Sequence, residues 1–184
     1  MRLGFKSVQN CCAHELMLMT STLNQRGLQA FAWISPHDAS ALLATADTLQ
    51  RAALAGTTQP LLRGKNVGML SEIDDDDTAL FRSAAAELGA RVAHVRPSLS
   101  ELSRLHDVQH TARVLGRLYD AVECQGMATA LVQQLGQDAG VPVYDGLATL
   151  QHPTARLAEL LGGDAGLVVK RRFVVQAVLL SALA

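Results

Sequence analysis

The sequence predicts a single α/β domain, a three-layer αβα arrangement around a four-stranded parallel sheet. Between residues 66 and 144, four short apolar runs alternate with helical patterns, as in successive βαβ units. The 184 residues suffice for one well-buried core and are too few for two full α/β domains. Hydrophobic residues make up 49% of the chain and charged residues 18%, a globular balance. Parallel strands need crossover connections, and right-handed crossovers put helices on both faces of the sheet.

Residues 1–30 read as an N-terminal extension with one helical pattern, 14–23, stopped by Asn24-Gln25-Arg26-Gly27. Ser35-Pro36 then supplies an N-cap and an N1 proline for a helix over 39–54 that stops at Gly56. A loop with Pro60 and Gly64 leads to the first strand, 66–71, and a helix over about 78–88. The second strand, 91–96, gives way to a loop at Pro97 and an amphipathic helix over 108–118. The third strand is 120–124, with a helix at 128–138, and the fourth is 141–144. A short helix at 153–161 ends at Gly162-Gly163, and a helix over 171–183 closes the chain. This divides the sequence into the extension, the α/β domain at 31–162, and a linker with a closing helix at 163–184 that packs back on the 39–54 helix. Ligands of open parallel sheets bind beyond the strands' carboxyl ends, here residues 72–78, 97–110, 125–127 and 145–154.

A formal net charge of −1 gives no basic footprint for nucleic acid, and 4% aromatic residues give no stacking platform. Cys11, Cys12 and Cys124 form neither a disulfide framework nor a zinc spacing, so a reducing cytoplasm is the expected setting. No metal site and no cofactor are expected, and Cys124 reads as a small buried hydrophobe. Neither a signal peptide nor a membrane span is expected, since the apolar stretch 174–184 is about half a span long. Ser98 and Ser100 have no nearby base in sequence, so a hydrolase triad has no support.

Three blocks carry a family likeness. Thr111-Ala112-Arg113-Val114-Leu115-Gly116-Arg117-Leu118-Tyr119-Asp120, followed by Glu123 and Gly126, resembles the TARVLGR(M/L)YD stretch of ornithine carbamoyltransferases. Val141-Pro142-Val143-Tyr144-Asp145-Gly146-Leu147 with His152-Pro153-Thr154 is similar to that family's GVPV(Y/F)NGL and HPTQ motifs. Leu61-Leu62-Arg63-Gly64-Lys65 resembles the entry to its first strand. The likeness covers roughly residues 31–161 and implies the carbamoyl-phosphate domain of an aspartate or ornithine carbamoyltransferase. It further implies ligand contacts at Arg113, His152 and Thr154, and self-assembly, most simply as a homotrimer. The ligand so implied is a small anion or an amino-acid-like molecule.

The sequence also departs from the family. Where S-T-R-T-R should cradle phosphate at a helix N-terminus, alignment through Phe81 places Asp74, Asp75, Asp76, Asp77 and Thr78. Carboxylates there satisfy the helix dipole themselves and repel phosphate; a close like-charge pair costs about 1 kcal/mol in water and several at lower dielectric. Ala155 replaces the motif glutamine, and His110 an aspartate. The family's amino-acid-binding motifs do not occur, yet Lys170-Arg171-Arg172 and the following apolar residues resemble its C-terminal helix. Two functions fit this pattern. One is a non-catalytic homologue with a regulatory or assembly role; the other is a binder or enzyme with an altered ligand, using Arg113 and His152. Blander roles stand beside each site: a surface ion pair for Arg113, a helix cap for His152, and a solvated helix start or a cation site for Asp74 to Asp77.

Overall fold

The computed structural model describes residues 35–184, so the extension and its 14–23 helical pattern lie outside the described residues. Ten elements follow: α1 (Pro36–Leu54), β1 (Asn66–Leu70), α2 (Asp76–Glu87), β2 (Arg91–Val95), α3 (Leu105–Leu118), β3 (Ala121–Cys124), α4 (Thr129–Ala139), β4 (Val143–Asp145), α5 (Thr154–Leu160) and α6 (Leu167–Leu183). The strands form one four-stranded parallel sheet in the order β2-β1-β3-β4, the expected fold class.

Local chemistry moves several boundaries. Asp75, not a residue nearer Thr78, caps α2, so Asp76 and Asp77 occupy the helix's own first turn. Pro142 has no N–H for the ladder, and β4 begins one residue later, although the Pro142 carbonyl still accepts from Val122. Asp120 precedes β3 and ties it to β1 by accepting the Asn66 N–H on its carboxylate at 2.8 Å. Helix α6 begins at Leu167, four residues earlier than expected, and Phe173 through Leu179 are all buried. Seven consecutive buried residues cover every side of the helix rather than one face. A helix apolar all round belongs in a core, and α6 is packed among α1, α2 and α5.

Two cores flank the sheet. Val67, Met69, Ala121 and Tyr144 face a layer built from α1, α2, α5 and α6. Leu70, Val122, Cys124 and Val143 face α3 and α4. The alternation along β1 and β3 is the two-residue period of a sheet covered on both sides. Gly116 sets the α3–α4 approach: a Cβ there would stand 1.7 Å from the Ala139 carbonyl oxygen. Gly68 plays the same part on β1, where a Cβ would come within 2.7 Å of the Tyr119 ring.

Candidate functional site

Strand order reverses at β1 and β3, whose crossovers leave toward opposite sides, and the crevice at their carboxyl ends is the expected ligand position. Two polar assemblies meet this edge.

The first is the start of α2. Asp75 and Thr78 form a reciprocal capping box: the Thr78 N–H donates to Asp75 Oδ1 at 2.9 Å and the Asp75 N–H donates to Thr78 Oγ1 at 2.8 Å. Asp74 Oδ1 lies 3.0 Å from Arg82 Nη2 and 3.1 Å from the Thr78 hydroxyl. The Thr78 hydroxyl first, and Arg82 second, hold its carboxyl below the usual carboxylate range. Asp77 Oδ1 accepts from Arg171 Nη2 at 2.8 Å, and the same nitrogen donates to the Ala148 carbonyl. The Arg171 side chain is only 10% exposed, so this pair is far less screened than a surface ion pair. The aspartates thus turn to different partners, and among the described residues no three acidic, histidine or cysteine side chains are grouped to hold a metal ion.

The second assembly links β3 to α5. Glu123, fully buried in β3, accepts the Leu147 N–H on Oε1 at 2.8 Å. The Leu147 carbonyl lies 3.2 Å from Thr154 Oγ1, which is 2.8 Å from His152 Nδ1. The Thr154 N–H also points to Nδ1, at 3.3 Å. Burial drives the His152 pKa down to about 4, so the ring is neutral near pH 7. Burial likewise pushes the Glu123 carboxyl well up, opposed in part by the Leu147 N–H and the neighbouring Gln125. The Gln125 amide stands near enough to favour the charged form of Glu123, yet among the described residues neither of its polar atoms, nor Glu123 Oε2, makes a well-aligned hydrogen bond.

His152, Thr154 and Thr78 are all buried at this carboxyl edge. Arg113 is not brought there. It lies on α3 with its side chain more than half exposed, and Nη2 is 3.6 Å from Asp138 Oδ1 in the last turn of α4. That turn leads into the start of β4, the opposite edge of the sheet from His152. Arg171 is instead the arginine beside Asp77, a role sequence reasoning missed. An arginine in the run Lys170-Arg171-Arg172, directly before a buried apolar stretch, needs an acceptor wherever it is covered, and that run was the available signal. Glu123 entered only as part of the matched block and Gln125 only as part of the edge segment 125–127; neither was given a contact, because a polar residue in or just after a four-residue strand carries no periodicity of its own.

Two of the cavities lined by described residues bear on the choice of site. One of about 240 Å³, lined by Glu72, Pro97, Glu101 and Met127, opens at the carboxyl edge. The larger, about 660 Å³, lies between α1 and α6 and away from the strand ends. We take the carboxyl edge as the candidate site because of its position in the fold, not its size.

Residues 26–162 match the family described as aspartate/ornithine carbamoyltransferase, carbamoyl-P binding domain. The chain is 39% identical over 144 residues to an ornithine carbamoyltransferase of Cutibacterium acnes, covering 78% of this chain and 43% of that relative. A catabolic ornithine carbamoyltransferase of Burkholderia mallei is 37% identical over the same length and coverage. Among solved structures, the ornithine carbamoyltransferase from Pyrococcus furiosus superposes with a TM-score of 0.65 at 28% identity, over 76% of this chain and 45% of that one. The chain therefore spans less than half the length of the relatives it matches. A carbamoyl-phosphate-binding fold, a matched sequence block across most of that fold, and a helix start at the expected strand end make this chain a member of the aspartate/ornithine carbamoyltransferase family through its carbamoyl-phosphate-binding domain.

Proposed function

We propose that this chain does not transfer carbamoyl groups by itself and acts as a regulatory or assembly component built on the family's carbamoyl-phosphate domain. In this reading residues 31–162 are the functional domain, and 163–184 return the closing helix to it. The observation that carries the proposal is the internal pairing at the start of α2, where Asp75 caps the helix, Asp74 pairs with Arg82 and Asp77 pairs with Arg171. Positive groups that could meet a phosphate are already matched by the chain's own carboxylates. An incoming dianion meets added negative charge rather than an open helix terminus. In this reading the assembly is a homotrimer, as the family resemblance implies, in the reducing cytoplasm that the cysteine usage suggests. Purified protein should give no citrulline from carbamoyl phosphate and ornithine, and light scattering at tens of micromolar should give a trimer mass. Citrulline formation above a heat-denatured control would sink the non-catalytic reading, and a monomer mass would remove the assembly role.

One observation favours a second reading, a binder of an altered ligand at His152 and Thr154. The buried Gln125 amide and Glu123 Oε2 lack partners at the same edge, and such groups in folded proteins are usually met by water or a ligand. A thermal-shift survey of amino acids and small amides checks it; a stabilising compound whose effect vanishes in His152→Ala would favour it.

A further inference from the structure

We infer that the Asp77–Arg171 pair is an autoinhibitory contact, in which Asp77 acts as a tethered anion on a guanidinium that would otherwise face the start of α2. The inference builds on the proposal that this helix start is closed to phosphate, and it names the contact that closes it.

Geometry separates Arg171 from the other pairs at this edge. Asp74 and Arg82 are both substantially exposed, with side-chain exposures of 59% and 42%, so solvent competes with their contact. Arg171 springs from the first turns of α6, just before the buried run from Phe173 to Leu179, and its own side chain is only 10% exposed. Its position is fixed from two directions. The Ala148 carbonyl, on the connection between β4 and α5, accepts from Nη2, and so does Asp77 Oδ1 from the first turn of α2. Only the second of these acceptors is charged. A guanidinium offers five N–H groups in a planar fork suited to two oxygens of one anion. Asp77 meets it with a single oxygen, at 2.8 Å. Asp77 sits at the second helical position, so its charge also falls on the positive end of the α2 dipole. One side chain therefore neutralises both features that would attract an oxyanion.

Removing that charge should leave Arg171 anchored by Ala148, with its fork and the helix start unmatched. The test uses the full chain and inorganic phosphate, read by isothermal calorimetry and by phosphorus NMR line broadening. Asp77→Asn should bind phosphate at least tenfold more tightly than the parent. Adding Arg171→Gln to that variant should return the affinity to the parent's. Asp77→Ser, a second neutral replacement compatible with a helix first turn, covers the case in which the Asn variant fails to fold. A folded neutral variant that binds phosphate no better than the parent overturns the inference, and so does a gain that survives loss of Arg171. Either failure leaves the parent's expected lack of transcarbamoylation standing. Conversely, citrulline formation by the parent would sink the functional proposal while the phosphate affinities still reported on the contact.

Discussion

Glu123 and Leu147 are joined by a hydrogen bond of 2.8 Å between a fully buried carboxyl and a backbone N–H that opens the connection from β4 to α5. Through the Leu147 carbonyl the connection continues to Thr154 and His152. Glu123→Ala should cost about 1–3 kcal/mol, because it strands a buried N–H. Glu123→Gln keeps an acceptor of the same shape and should stay within about 1 kcal/mol of the parent. Urea unfolding of the three proteins at pH 7 measures this. The two variants behaving alike would mean the bond contributes nothing.

The same carboxyl sets a pH dependence. Burial raises its pKa in the folded protein above the ordinary 4.5, so the folded state holds a proton that the unfolded state releases. Stability from this group is full below pH 4.5 and falls as pH rises toward the folded pKa. His152 acts in the opposite direction: its folded pKa near 4 lies below the ordinary 6.5, so protonation favours the unfolded chain. Its contribution is full above pH 6.5 and is lost as pH drops through 4, by about 3 kcal/mol in all. Melting temperature followed between pH 7 and 4 should fall more steeply for the parent than for His152→Gln. Parallel acid limbs would remove His152 from the account.

At the start of α2 the expected effect is smaller. Asp75→Ala removes a capping-box acceptor and should cost about 0.5–2 kcal/mol, whereas Asp75→Asn keeps one and should cost less than about 1 kcal/mol. Asp76→Asn should be close to neutral, and Mg2+ or Ca2+ should leave the parent's melting temperature unchanged, since the aspartates are turned to different partners. Divalent stabilisation abolished in the Asn variants would revive the cation-site alternative.

The fold was legible because its signals are local and repeated. Ser35-Pro36 announced α1, and Gly162-Gly163 marked the end of α5, each through chain chemistry that needs no tertiary context. Boundary errors arose where one residue's hydrogen bonding decided the matter, as at Asp75 and Pro142. The site was legible only in part. His152, Thr154 and Thr78 could be named from motif positions, and the structure brings them to one edge. Arg113 could not be placed by sequence, because its direction depends on how closely Gly116 lets α3 approach α4. Arg171 lies 94 residues from Asp77, and such a pairing has no periodic signal.

Helix α6 supplies a further check. Its residues Phe173 through Leu179 close the core between α1, α2 and α5. Ending the chain after Gly166 should expose those apolar faces and give aggregated or molten protein, visible as dye binding and loss of near-ultraviolet dichroism. A truncated chain with an unchanged, cooperative melt would show that α6 is dispensable to the fold.

The most direct test of the closed helix start is calorimetric titration of the full chain with carbamoyl phosphate. Among the described residues, the two arginines that meet the start of α2 are already paired, Arg82 with Asp74 and Arg171 with Asp77, while Asp75 caps the helix, so binding should be undetectable or no tighter than millimolar. A variant with Ser-Thr-Arg-Thr at positions 74–77 should bind at least tenfold more tightly, through the restored arginine and hydroxyls. A parent dissociation constant in the low micromolar range would contradict the account, because phosphate would then be reaching a site its own carboxylates are held to close.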